Sequence, residues 1–525
     1  MNQALHIFKK DVRRFWPEIL LSLLVLSIYV CVQPFLWTGH IDFRAQEMRD
    51  VSAILAMLIP VSWWVLTARS ILDERLVGDT QFWITRPYAW MSLLAAKAMF
   101  VAAFLAVPFF IAESTLLAMA GFAPHSFLPG LLFDLGLMLV TVVLPLTAIA
   151  TVTSSFAKMT LTLLGILLAL AFAAAVSSMY AAVSTSVNTA DTGGSNAVAW
   201  TTWAACLLAV ILTQYARRRV WLAGGILLAV PLLFWGISFV SATYNQSRFD
   251  SSYPAAQNGA PVQLAYHPIP GSHGTTGMQA SSTAMIPISF ELDETGVAQG
   301  RILIQDAVRA VLTAPDGSQW DSGWQTAGGE YKLSPGTSNF SPQVRVPLAT
   351  AEKYQSTHVN VQLSVAFTEA RADQVAAAAI SSDAFSVSGF GACYPQTGWA
   401  PEFGHITGIS CIAPVTAPQL TYVSTYWSDG PCTGGPTTPD QGVVGSGWAG
   451  TLNRGHGDFG FSPVQQVNVP LSNNQDNNKS RYLCPGTPIT FTRYLPVGRA
   501  QVSVDVKDLP LPKVSVIGNQ LTVTQ

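Results

Sequence analysis

The sequence predicts a multidomain protein: a polytopic α-helical membrane bundle of about seven spans, followed by an extracytoplasmic all-β region of β-sandwich type. Three observations carry this reading. Half of the 525 residues are hydrophobic and only 11% are charged, against roughly a quarter charged in soluble domains. Apolar runs of span length follow one another up to about Val240. Beyond Tyr244 the composition turns to Gly, Pro, Ser, Thr, Asn and Gln, and short alternating segments replace the long runs. The formal net charge of -2 gives no reason to expect a nucleic-acid partner.

A membrane helix needs roughly 20 mostly apolar residues. Seven segments qualify: Pro17–Trp37, Val51–Ala68, Met91–Ala120, Leu128–Phe156, Met159–Val183, Ala197–Tyr215 and Val220–Val240. Together they define a bundle over residues 17–243. Lys and Arg are retained on the cytoplasmic side. With the N-terminus inside, Lys9, Lys10, Arg13, Arg14, Arg69, Arg75, Arg86, Lys97, Lys158 and Arg217 to Arg219 fall inside, and only Arg44 and Arg49 fall outside. The expected orientation is therefore N-terminus in, with everything after Val240 outside a cell (inner) membrane. No cleavable signal is expected, because no small-residue cleavage pattern follows the long first span. Ahead of that span, "ALHIFKKDVRRFW" places Leu5, Phe8, Val12 and Phe15 at helical spacing, with Lys9, Lys10, Arg13 and Arg14 opposite. Residues 1–16 read as an amphipathic helix in the inner interface; an ordinary basic flank is the alternative.

The longest internal connection is the loop 69–90. "RSILDERL" reads as a short amphipathic helix, Gly78 closes it, and Pro87 breaks any helix in the following "TQFWITRPYAW". The order of interfacial helix, two spans, charged loop and four further spans resembles the ABC-2-type permease family, the membrane subunits of ABC transporters. The family's loop pattern, roughly E-x-x-x-G-[TD]…[TS]-R-P…L-x-x-K, is matched by Glu74, Gly78, Asp79 and Thr80, then Thr85, Arg86 and Pro87, then Leu93, Leu94 and Lys97. The resemblance covers about residues 1–219. It implies that the loop docks into a separate ATP-hydrolysing subunit, with Asp73, Glu74 and Arg75 making charged contacts and Phe82 and Trp83 supplying an apolar anchor of the hot-spot kind. The alternative is a solvated loop whose aromatics sit among lipid headgroups.

No G-x-x-x-x-G-K-[ST] occurs, so the chain is not expected to hydrolyse ATP itself; no enzyme activity and no cofactor are assigned to it, and ATP and Mg belong to the partner ATPase. The G-x-G-x-x-G formed by Gly445, Gly447 and Gly450 lacks the strand and helix it needs. His405 and His456 have no partner at ligand spacing, and no metal site is expected. Two acids stand out inside spans, Glu113 in the third and Asp134 in the fourth. Such groups usually face a bundle interior or cavity, here an exit path; a place near the interface, or local pairing with Ser114, is the other reading.

Two β modules are expected, 244–375 and 376–525. "VNVQLSVAF" puts Val359, Val361, Leu363, Val365 and Phe367 on one face, and "QVSVDVKDL" repeats the alternation with Val502, Val504 and Val506, the pattern of half-buried antiparallel strands. "TAPDGSQW" and "VSVIGNQLTV" read as turns between strands, and "ARADQVAAAAI" as a helix separating the modules. Cys393, Cys411, Cys432 and Cys484 in the second module fit two disulfides. Three connectivities are possible; neighbour pairing, Cys393 with Cys411 and Cys432 with Cys484, is the working expectation. Cys31 and Cys206 lie in spans. The Asn245 and Asn478 sequons matter only where the host glycosylates.

These readings combine into a permease subunit that acts with an ABC ATPase and a second permease copy or paralogue in the lipid membrane. A membrane-anchored receptor or adhesion protein working through its β-region is the alternative. A secondary transporter would carry internal inverted repeats, and none is evident.

Overall fold

The computed structural model describes residues 2–37, 43–73, 89–183, 194–217, 219–231, 233–234, 262–267, 278–279, 285–298, 300–326, 332–333, 339–355, 357–381, 383–397, 406–414, 419–425, 442–449, 463–470, 485–511, 513–517 and 520–524. A helical region is followed by a β-rich region, in the predicted order. The helices are α1 (Asn2–Arg14), α2 (Trp16–Leu36), α3 (Phe43–Leu72), α4 (Trp90–Met119), α5 (Pro124–Val152), α6 (Phe156–Val183), α7 (Gly194–Arg217) and α8 (Val220–Pro231). Among the described residues, four stretches are long and apolar enough to cross a membrane: α2, Glu47–Leu72 of α3, α4 and α5. The chain divides into two compact units, one of residues 1–165, 202–231 and 373–495, the other of residues 166–201, 232–372 and 496–525.

In the first unit, α2 begins with Pro17 in its first turn, where the missing N–H costs nothing. It is stitched to α3 by a hydrogen bond from the Gln33 amide to Ser52 Oγ at 2.8 Å and by Ser62 Oγ to Ser22 Oγ at 3.2 Å. Small polar contacts of this kind hold helices together where lipid supplies no hydrophobic drive. The α3 helix does not stop at Ala68. It continues to Leu72 and buries Ile71, so the first half of "RSILDERL" is the end of the second span's helix and not a separate one. No breaker interrupts it there. α4 and α5 each contain a widened π turn, Ala102–Ala106 and Leu139–Val143. Pro108 and Pro145 follow at once, and a proline clashes with the carbonyl four residues before it. Phe104 and Thr141 are those residues, so the wide turns relieve the clash.

The α4–α5 corner is closed by a Schellman turn: Gly121 N–H donates to Ala118 O and Phe122 N–H to Leu117 O, both at 3.0 Å, with Gly121 at φ +89°. The left-handed residue is glycine because it carries no Cβ. This turn presents Phe122, which packs edge-on to Phe127 at 5.7 Å and shares an apolar cluster with Ile412 and Val464.

Those two residues belong to a four-stranded antiparallel sheet, ordered Phe385–Val387, Gly391–Thr397, Ile406–Pro414 and Val464–Pro470. Cys393 lies directly opposite Cys411 across the central pair and is disulfide-bonded to it. Neighbour pairing is therefore met for this pair; Cys432 and Cys484 lie outside the described residues. Both bonded cysteines are buried, in a cluster with Ile380, Phe390, Val423, Ile489 and Phe491. Strand Gln419–Thr425 pairs with Gly442–Ala449, which holds the glycines of the G-x-G-x-x-G up to Gly447, and with residues 489–494. Gly450 lies outside the described residues.

In the second unit, strand Arg301–Thr313 pairs antiparallel with residues 360–371 and turns at Pro315–Gly317 into Gln319–Asp321. Gly317 is at φ +81°, as the Pro-Asp-Gly signal requires. Val359, Val361, Leu363, Val365 and Phe367 are all buried in one cluster with Ile286, Phe290, Leu312 and Val506, so that alternation was legible. Lys513–Ile517 and Gln520–Thr524 pair as the expected hairpin.

One element was misread. Within "ARADQVAAAAI" the residues up to Ala379 are not helical but the end of a strand, His358–Ala379, with exposure alternating along its last nine residues. Alanine's helix propensity is a weak prior. Here Ala376 and Ala378 pack on the Cys393–Cys411 cluster and Arg493 binds Asp373, so strand pairing prevails.

Candidate functional site

The connection 74–88 leaves the helical bundle after α3 and returns at Ala89. Among the described residues, the groups beside its two ends form a buried polar arrangement flanked by exposed ion pairs. α1 lies against the bundle along Ala4, Ile7, Asp11 and Phe15, all buried. The sequence placed Leu5, Phe8, Val12 and Phe15 on the apolar face of an interfacial helix. Phe15 is there, and Phe8 and Val12 are partly buried against the same core, but Leu5 is 46% exposed. The inward stripe instead contains an acid.

That acid is the centre of the site. Asp11 Oδ2 accepts from Lys97 Nζ at 2.7 Å, and the same ammonium donates to the Ser70 carbonyl at 2.6 Å. Asp11 and Lys97 are only 3% and 5% exposed. The pair thus joins three helices, α1, α3 and α4, in a dry environment. Removing one partner of such a buried pair strands the other's charge, at a cost of about 3–5 kcal/mol. Aromatic packing surrounds it: Phe15 meets Phe100 edge-on at 6.4 Å, Phe100 meets Phe104 at 5.1 Å, and Phe8 stacks on Phe104 at 6.0 Å.

Two exposed ion pairs flank it. Arg14 binds Asp73 at 2.6 Å, and its guanidinium also lies 5.9 Å from the Phe15 ring centre. Arg69 binds Glu18. Each exposed pair is worth at most about 1 kcal/mol, so they orient and the buried pair anchors.

Of the residues expected to dock an ATPase, Asp73 is described, and it is held by Arg14. Glu74, Arg75, Gly78, Asp79, Phe82, Trp83, Arg86 and Pro87 lie outside the described residues. Lys97, which closes the quoted loop pattern, is central; Asp11 was missed. Its signal was present in "KKDVRR", a single acid between two basic pairs and four residues from Phe15, on the buried stripe.

Glu113 and Asp134 are both inside the bundle, 2% and 4% exposed. Ser114 Oγ beside Glu113 makes no hydrogen bond. Among the described residues no three His, Cys, Asp or Glu side chains gather as a metal site.

A second junction was invisible in the sequence. Gly391, at φ +79°, approaches Phe122 so closely that a Cβ there would lie 2.8 Å from the Phe122 ring and 2.8 Å from the Ile412 carbonyl oxygen. Tyr394, partly buried beside it, has its phenol pushed above the usual pKa by burial.

No model of a known protein family, no curated protein and no solved structure matches this chain.

Proposed function

We propose that this chain is the membrane permease subunit of an ABC-type transporter, coupling ATP hydrolysis by a separate ATPase subunit to export or extrusion of a substrate. In this reading seven spans cross the membrane with the N-terminus in the cytoplasm, and the β-region lies outside. Residues 69–90 receive the ATPase, which holds ATP and Mg. A second permease copy or paralogue completes the path, with Glu113 and Asp134 set along it.

The observation that carries the reading is the buried Asp11–Lys97–Ser70 junction. A docking loop transmits motion only if its ends are fixed to the elements that must move. Here the exit of the connection is tied to α1 through Asp73 and Arg14, and α4, on which the connection returns, is tied to α1 and α3 through Lys97. An anchor for a receptor domain has no use for such a clamp.

The test is purification of the tagged protein in mild detergent beside a Glu74→Lys, Trp83→Ala variant. An ATP-binding subunit that accompanies the parent and is lost from the variant supports the proposal. If none accompanies the parent under conditions that keep a known ABC complex together, the proposal fails and the anchored-receptor reading replaces it.

A further inference from the structure

We infer that α4 is a force-transmitting strut, and that the protein's further function is to move its disulfide-bearing sheet in response to events at the Asp11–Lys97–Ser70 clamp. The argument starts from the two ends of one helix. Thirty residues at 1.5 Å each make α4 about 45 Å long, enough to span a bilayer. Two turns into it, Lys97 is clamped by Asp11 and the Ser70 carbonyl. Just past its last turn, the Schellman closure fixes Phe122, and Phe122 is seated against Gly391 with Ile412 and Val464 around it. All of these residues belong to one compact unit.

A span held only by lipid slides or tilts when pushed, and the push dissipates. A span gripped at both ends delivers it. The receiving element is suited to this. Gly391 and Ile412 lie on adjacent strands, each two residues or fewer from a cysteine of the Cys393–Cys411 bond. A displacement of Phe122 therefore meets a covalently stapled pair of strands, not a loose loop. The tightness of the seat matters too: a ring against a residue with no side chain leaves no slack to take up. Between the clamps the helix stays continuous through the wide turn Ala102–Ala106 ahead of Pro108.

The inference is independent of what docks at the connection, so its failure and that of the permease reading are separable: copurification tests one and internal coupling tests the other. The experiment is amide hydrogen exchange by mass spectrometry on the full chain in lipid nanodiscs, comparing the parent, Lys97→Met, Phe122→Ala and the double variant. Lys97→Met is expected to speed exchange about fivefold or more both at Ser70–Asp73 and in the strands Gly391–Thr397 and Ile406–Pro414, the size of an ordinary coupling between sites. In the Phe122→Ala background the same change should still open Ser70–Asp73 but leave the sheet within about twofold. Lys97→Arg, which keeps the cation, should exchange like the parent. Should Lys97→Met fail to fold, Asp11→Asn perturbs the same junction more gently and is read the same way. Opening at Ser70–Asp73 with no response in the sheet, or an equal response with and without Phe122, would overturn the inference.

Discussion

Gly391→Ala isolates the Phe122 seat. Two costs add at this position. The residue sits at φ +79°, where an L side chain costs roughly 1–2 kcal/mol. The new methyl would also lie 2.8 Å from a backbone carbonyl and an aromatic ring, and forced overpacking costs about 1–3 kcal/mol more. The expected loss is roughly 2–5 kcal/mol, which at about 1.4 kcal/mol per decade raises the open population by at least about 25-fold. The assay is reduction of Cys393–Cys411 by a phosphine, followed by maleimide labelling. Both sulfurs are buried, so reduction reports opening of this sheet when opening and closing are fast. Gly486→Ala is the control. It has φ +87° with open space around it and bonds back to Ile380 of the same cluster, so it should cost strain alone, roughly 1–2 kcal/mol. If the two alanine variants are reduced at the same rate, the close approach of Gly391 to Phe122 and Ile412 is wrong.

Three further outcomes are expected. Asp11→Leu and Lys97→Met should each destabilise the protein in detergent by about 3–5 kcal/mol, and together by much less than their sum, because the double variant leaves no stranded charge; additive losses in thermal unfolding would exclude a direct buried pair. Gln305 is buried opposite Phe367 with neither amide atom hydrogen-bonded, so Gln305→Leu should stabilise by about 1–3 kcal/mol, and a lowered Tm would contradict this. The Arg309 hydrogen bond, opposed by partial burial and helped by the Gly323 N–H, holds the Asp321 carboxyl below the usual carboxylate range. A lowered folded-state value gives stability that is full above the unfolded carboxylate pKa of about 3.9 and is lost as pH falls through the folded value. Tm should therefore fall more steeply on acidification in the parent than in Arg309→Met, and parallel curves would remove the pair from the account.

What could be read from the chain depended on the range of the interaction. α2 and α4 were placed within a residue or so because their apolar runs are bounded by sharp changes of composition. The second span was read short, at Val51–Ala68, because Glu47, Arg49, Asp50 and Arg69 lower the hydropathy of a helix that nevertheless runs from Phe43 to Leu72. Alternation exposed the buried face of 359–367, where burial repeats every two residues. It did not expose the strand at 371–379, because alanine fills both faces there. The cysteine pair was one of three connectivities the chain allowed; what selects it is the pairing of two strands that bring residues 18 apart face to face. Asp11 and Lys97 are 86 residues apart, and neither local periodicity nor charge counting links them. Lys97 entered the reading as a charge that orients the spans and as the last residue of the loop pattern, and neither use points to Asp11.

The Phe122 seat also sets an order of events during synthesis. At roughly 5–20 residues per second, the roughly 270 residues between Phe122 and Gly391 take about 15–50 s to add. For that interval the α4–α5 corner exists without its cover. The ring must wait far longer than the helices themselves need to form. When the strands arrive, oxidation of Cys393 to Cys411 fastens the cover in place. A chain cut short anywhere before Gly391 therefore lacks the strands against which Phe122 is seated.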